Sequence, residues 1–329
     1  PFNVSRVNGL GILYPVETVR GSLVFGIGFN RIHHYDDLMS FSGYSNYNNG
    51  MEFPIKTDGQ LLYYGFNKDV ERYEKIISNV ARDLLTISFG IALSPNLAGG
   101  ISVSKMKGLE NYDFEFLQKD IADNYQQFPA DFQSYEVFQS LKTKTEAWKL
   151  RGGVKYIYSP FQFGFSIALP YNVNVVENHG TQERLIFDNA DYSDTLEFGY
   201  YDYKVQMPAT MDLGIAFVTD LNLSFSIAYR LQDWSKMQFN LMDFSAQSED
   251  YTIMSVENDL IEQEYRLVSQ LRVGVEGLIP FSKTFGITVR SGMAFIPSAQ
   301  QNDATEKQIA SFGLGLPIQR RIIFDIAFI

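Results

Sequence analysis

The sequence predicts an all-β protein: a transmembrane antiparallel β-barrel of about fourteen strands with long, partly helical extracellular loops. Three observations carry this. Segment after segment alternates bulky apolar residues with small or polar ones. Very short connections alternate with long polar ones. And although 45% of the 329 residues are hydrophobic, no run approaches the roughly 18 consecutive apolar residues of a membrane-spanning helix.

The alternation is first seen in 22–31, where Leu23, Phe25, Ile27 and Phe29 share one face and Ser22, Gly26, Gly28 and Asn30 the other. It returns with Leu85, Ile87, Phe89, Ile91 and Leu93, and again with Phe161, Phe163, Phe165, Ile167 and Leu169. Further examples lie in 211–217, 221–229, 271–275, 285–289 and 322–328. The second face is mostly Gly, Ser, Ala, Asn and Gln, too small and polar to build the core of a soluble sandwich. An apolar outside around a tightly lined polar interior fits a barrel in lipid.

Turn chemistry separates the strands. Ser94-Pro95-Asn96, Ser159-Pro160, Pro208-Ala209, Thr219-Asp220 and Leu316-Pro317-Ile318 read as short periplasmic turns. Long polar connections near 33–83, 108–145, 177–193, 245–263 and 297–307 read as extracellular loops. About thirteen strands fit between them, near 9–16, 20–32, 84–94, 97–107, 146–158, 161–176, 194–207, 210–218, 221–231, 264–277, 284–296, 308–317 and 320–329. Because bacterial barrels have even strand numbers, one more strand is expected before Pro1, and 1–329 is read as a single barrel. The chain opens on Pro1 without a signal peptide, so it is expected to be processed or truncated at its start. Tyr156, Tyr158 and Phe161 around one turn, with Trp148, Tyr229 and Trp234 at the other end, suit two aromatic girdles. Cross-strand aromatic packing would explain them as well.

Composition narrows the function. With 27 Lys+Arg against 38 Asp+Glu the net charge is −11, which opposes nucleic-acid binding. The absence of cysteine and the presence of only 3 histidines remove thiolate chemistry and leave little for a metal centre. His33-His34 lies beside Asp36-Asp37, but adjacent strand residues point to opposite faces, so loop-edge polarity is the better reading. His179 has no identifiable catalytic partner. Neither an enzyme nor a cofactor is expected.

Met207-Pro208-Ala209-Thr210-Met211-Asp212-Leu213-Gly214-Ile215-Ala216-Phe217, followed by Leu221-Asn222-Leu223-Ser224, Ala228-Tyr229-Arg230 and Trp234-Ser235, resembles the FadL family of outer-membrane transporters for hydrophobic compounds. Tyr14-Pro15-Val16 and 20–29 are similar to that family's second and third strands. The resemblance implies a fourteen-stranded barrel with an N-terminal hatch, here expected before Pro1, and passive uptake of hydrophobic or amphipathic molecules such as long-chain fatty acids across a bacterial outer membrane. The chain departs from the family's ending by placing Phe328 one residue before its last.

Two groups of residues are candidate ligand contacts. Val70, Tyr73, Ile76, Ile77 and Val80 recur at helical spacing within 67–82. Phe114, Leu117, Ile121 and Tyr125 do so within 113–138, followed by Phe128, Phe132, Tyr135 and Phe138. So many large apolar side chains in loops must cover something: either a greasy vestibule for an incoming ligand or one another. Phe114, Leu117, Phe128, Phe132 and Phe138 are the aromatic and apolar candidates. By parity Lys149, Arg151 and Lys155 face the lumen, as do Arg266, Arg272 and Glu276, with Arg290, Arg321 and Asp325 nearby. Arg151, Lys155, Arg272 and Arg290 could orient a carboxylate, or could pair with acidic residues to fill the lumen. The expected partners are a hydrophobic small molecule or fatty acid, the lipid bilayer and its lipopolysaccharide. A barrel that docks or scaffolds a secretion or envelope complex is the alternative, and would add an envelope protein partner.

Overall fold

The computed structural model describes residues 7–19, 21–48, 50, 52–57, 59–66, 68–126, 131–189, 192–281, 286–318 and 322–328. Most of the described chain is strand. In chain order these are β1 Gly9–Val16, β2 Leu23–Ser45, β3 Phe53–Thr57, β4 Gln60–Tyr64, β5 Val70–Ala92, β6 Leu97–Lys119, β7 Phe132–Tyr158, β8 Phe161–Ala168 and β9 Tyr171–Phe187. They continue with β10 Tyr192–Met207, β11 Thr210–Val218, β12 Leu223–Asp233, β13 Gln238–Phe239, β14 Leu267–Pro280, β15 Gly286–Pro297, β16 Glu306–Ile318 and β17 Ile322–Phe328. One α-helix among the described residues, α1, spans Glu249–Glu264.

The sheet is an antiparallel meander. Its main path runs β1-β2-β5-β6-β7-β8-β11-β12-β14-β15-β16-β17, each strand beside its neighbour in sequence or nearly so. Alternation sets its two faces. In the β2–β5–β6 ladder Ile27 lies beside Ile87 and Ile87 beside Val103, and Ile27 and Ile87 are each 59% exposed. Gly26, Ser88 and Ser102 point the other way. The apolar residues therefore form an outward belt, as in a barrel whose surroundings are lipid.

Two prolines explain why β8 and β9 are separate. β8 pairs with the lower part of β7 through Arg151↔Ala168, and β9 with its upper part through Ala147↔Val173. The two are one traverse, broken at Leu169-Pro170. β10 and β11 are likewise one traverse, since Met207 pairs with Tyr171 and Thr210 with Ala168. Pro208-Ala209 is thus a crease inside the wall, which corrects its reading as a periplasmic turn. Proline has no N–H to give a ladder, so Pro170 and Pro208 on adjacent strands interrupt the sheet at one height. Among the described residues the main path has twelve strands once this turn is removed.

The loops are the larger correction. β2, β5 and β6 have 23 residues each and β7 has 27, where about 9–11 cross a membrane. Most of 33–83 and 108–145 is therefore continued strand, as is most of 177–193. The helix expected over 67–82 is β5 from Val70 onward. Its helical spacing arose because both faces carry apolar residues: Val70 and Val80 are buried on the inner side while Tyr73 and Ile77 lie on the other. Val, Ile and Tyr favour a pleated surface. Phe114 and Leu117 likewise sit on opposite faces of β6. The helix occurs instead in 245–263, where Ser248 caps it by accepting from Tyr251 N at 3.2 Å and Glu249 and Asp250 occupy its first turn. β16 runs through Ile318, so 316–318 is strand and not the turn read there. Breaks between strands do occur at the turns read at 94–96, 159–160 and 219–220; the connection read near 297–307 spans 298–305.

Candidate functional site

The inner face carries three features along its length. At the end with long connections, a tight β3–β4 hairpin folds onto the strand extensions. Gly59 at φ +81° makes its turn, a conformation glycine takes without strain. The hairpin brings Phe53 against Phe66, with ring centroids 5.6 Å apart, and against Tyr135 at 4.7 Å. Phe66 stacks on Phe132 at 4.7 Å and meets Tyr125 edge-on at 5.5 Å. Phe66, Val70 and Phe132 are almost fully buried.

A buried polar strut holds this aromatic cap. Gln118 donates through Nε2 to the Phe66 carbonyl, and its Oε1 accepts from Arg72 Nε at 2.8 Å. Arg72 Nη1 also reaches Ser45 Oγ at 3.1 Å. Buried amides need such partners. Burial pushes the Tyr135 hydroxyl pKa up to about 12, helped by the charge of, and a hydrogen bond to, Glu183.

Of the aromatic candidates, only Phe132 joins the cap. Phe114 and Leu117 are parted by the pleat, Phe138 is 47% exposed on the outer face, and Phe128 lies outside the described residues. Phe53 and Phe66 were missed, although Gly59 after an aspartate between apolar runs is a hairpin signal.

Below the cap lies a cavity of about 720 Å³. Leu84, Met106, Val173, Val175, Val205 and Met207 give it an apolar wall. Trp234, expected in a girdle, lines it too. Arg82, Lys149, Arg151 and Arg230 supply its positive charge, and Lys149 Nζ stands 4.7 Å from the centre of the Tyr171 ring. A second cavity of about 590 Å³ continues towards the short turns, lined by Arg151, Lys155 and Asp212 among small residues such as Gly100, Gly153 and Gly164.

The inward charges are paired in part. Asp212 accepts from Arg230 Nε at 2.6 Å and faces Arg151 Nη2 at 3.4 Å. Arg290 Nε reaches Glu276 Oε2 at 2.6 Å. One carboxylate thus serves two arginines. Arg272 hydrogen-bonds Gln270 at 3.1 Å, and among the described residues neither it nor Lys149 or Lys155 forms an ion pair. Arg266 does not join them: it donates to the Ser298 carbonyl at 3.2 Å and pins the 298–305 connection. Arg321 and the Asp325 side chain lie outside the described residues. His33 and His34 pair with Arg82 and Ala81 on opposite faces, and no three potential metal ligands converge among the described residues.

No protein-family model matches the chain, and no curated protein matches its sequence. Solved structures do match. The Pseudomonas putida toluene transporter TodX superposes with a TM-score of 0.51 at 14% identity, covering 97% of this chain and 76% of that one. The Ralstonia pickettii toluene transporter TbuX gives 0.51 at 16%, covering 96% and 74%. A Pseudomonas aeruginosa FadL homologue gives 0.50 at 12%, covering 93% and 80%. The fold is therefore that of a FadL-type outer-membrane β-barrel.

Proposed function

We propose that this protein is an outer-membrane channel that admits hydrophobic or amphipathic small molecules by passive diffusion. The observation that carries the reading is the cavity of about 720 Å³ below the aromatic cap, which combines an apolar wall with inward cations. Its size lies within the roughly 300–1,000 Å³ typical of small-molecule sites. Each methylene buried against Met106, Val173 or Met207 contributes about 0.8 kcal/mol, so an apolar chain is retained with few polar contacts. Lys149 and the Arg151–Arg230 pair lie where a carboxylate on such a chain would be oriented, which favours long-chain fatty acids over a purely neutral cargo. The toluene transporters that share the fold make monoaromatic hydrocarbons the natural comparison. No step in this function calls for a catalytic group. Equilibrium binding of a fluorescent fatty acid and of labelled toluene to the purified protein tests the reading. Saturable binding of the acid, weakened by filling the cavity through Val173→Trp, is expected; binding of neither compound overturns it.

A further inference from the structure

The outer wall of the strand extensions has a charge pattern that the channel does not need. In a chain of net charge −11, five lysines gather on one outward patch across β6, β7 and β10. Ladder register aligns them. Lys107 lies beside Glu146, Glu146 beside Asn174, and Asn174 beside Lys204, forming one row across four strands. Lys105 sits one pleat below, opposite Trp148, and Lys144 and Lys142 follow one and two pleats above on the face of β7 that carries Glu146. With strands about 4.8 Å apart, the patch spans three strand intervals.

Its lysines are only partly neutralised. Lys105 and Lys107 share Glu146 at 3.4 and 3.6 Å, and Lys204 holds Asp243 at 2.7 Å. Lys142 and Lys144 are exposed and form no ion pair among the described residues. One pleat below Lys144, from Glu146 downwards, the proline crease opens an outward cleft of about 970 Å³. Its polar side is mostly amide: Asn172, Asn174, and the pair in which Gln238 donates to Gln206 at 2.8 Å. Its one carboxylate among the described residues is Glu146, which Lys105 and Lys107 hold. Its lower side is apolar, with Trp148 63%, Leu150 37% and Leu169 44% exposed where the belt begins. A tryptophan at that height marks the headgroup level.

Amides beside an aromatic ring match the hydroxyls and apolar faces of a sugar. Ammonium groups above them match phosphate, and the belt below matches acyl chains. We propose that this wall patch binds the phosphorylated saccharide headgroup of an acylated glycolipid in the outer leaflet. Lys142 and Lys144 meet the phosphates, Asn172 and Asn174 meet the sugar, and the acyl chains lie along Trp148 and Leu150. The inference rests on the outer-membrane setting but not on transport, because the patch and the lumen are on opposite faces of the sheet.

The test uses the full chain in neutral detergent, stripped of bound lipid. Its binding to a bis-phosphorylated, multiply acylated glucosamine disaccharide is measured by native mass spectrometry, beside the dephosphorylated form and phosphatidylglycerol. The double variant Lys142→Gln/Lys144→Gln should bind the phosphorylated glycolipid about tenfold more weakly and the dephosphorylated form unchanged. Asn172→Ala/Asn174→Ala should weaken both glycolipids. Lys307→Gln, on β16 and exposed, should change neither. Equal binding by wild type and the lysine double variant overturns the proposal. So does phosphatidylglycerol binding as tightly as the glycolipid, which would make the patch a general anionic-lipid surface. Fatty-acid binding in the lumen is measured in parallel, so loss of one reading leaves the other standing.

Discussion

Asp212 and Arg230 face each other directly across the β11–β12 ladder, and a 2.6 Å contact joins Arg230 Nε to Asp212 Oδ1. Arg151 approaches the other oxygen at 3.4 Å. Asp212 therefore competes with any incoming carboxylate for both guanidinium groups. Asp212→Asn should tighten binding of a fatty acid severalfold, up to about tenfold, and leave its methyl ester unchanged. Displacement of a fluorescent acid reads this directly. An equal gain for acid and ester would mean that the cavity had merely changed shape.

The cap depends on packing rather than on hydrogen-bonded strands alone. Phe132 is almost completely buried against Phe66, so Phe132→Ala should cost the cap about 3–5 kcal/mol. Gln118→Leu strands the Phe66 carbonyl and one Arg72 donor, for about 1–3 kcal/mol. Both should raise protease cleavage between β2 and β5 while the belt strands stay resistant. Resistance unchanged in both variants would remove the cap from the account.

The belt can be tested by charge. Ile87 is 59% exposed between Ile27 and Val103, so Ile87→Arg should destabilise the barrel in lipid by roughly 2–4 kcal/mol if it lies near the midplane. Ser102→Lys, on the inner face, should cost far less. Unfolding by denaturant in vesicles compares them, and similar losses would contradict the assignment of inside and outside.

Tyr135 gives the cap a pH dependence. Its hydroxyl is held neutral by burial first and by Glu183 second, up to about 12 in the folded state against about 10 in an unfolded chain. The sign follows: the contribution is complete below pH 10 and is lost as pH rises from about 10 through 12. Protease resistance of the cap should fall across that window in wild type. In Tyr135→Phe this component of the fall should be absent. An identical alkaline profile in the two proteins would contradict the burial of this hydroxyl.

Much of the barrel was legible because its two environments differ sharply. Phe161, Phe163 and Phe165 alternate with Gln162 and Gly164, and the structure turns them outward. The extensions were illegible for the same reason in reverse. Beyond the belt both faces carry mixed residues, so period two disappears and Val70 to Val80 resembles a helix. Pro208 was misread because the same residue that closes a turn also breaks a ladder, and only its neighbour Pro170 on the adjacent strand distinguishes the two. Parity placed Lys149, Arg151, Lys155 and Arg272 on the inner face, but it did not name Arg230 or Arg82 and it misassigned Arg266. The partner Asp212 did not follow from parity, because it lies about sixty residues away in sequence from Arg151 and meets it only through the β8–β11 pairing.

The central claim is that hydrophobic molecules pass through the lumen along its apolar wall. The most direct measurement is uptake of a labelled fatty acid by bacteria stripped of their own channel for such compounds and expressing this chain. Uptake should rise above that of control cells, and Val173→Trp/Met207→Trp, which fills the cavity, should return it to background at equal surface expression. Uptake that never exceeds the control, or that survives the filled cavity, would contradict the account.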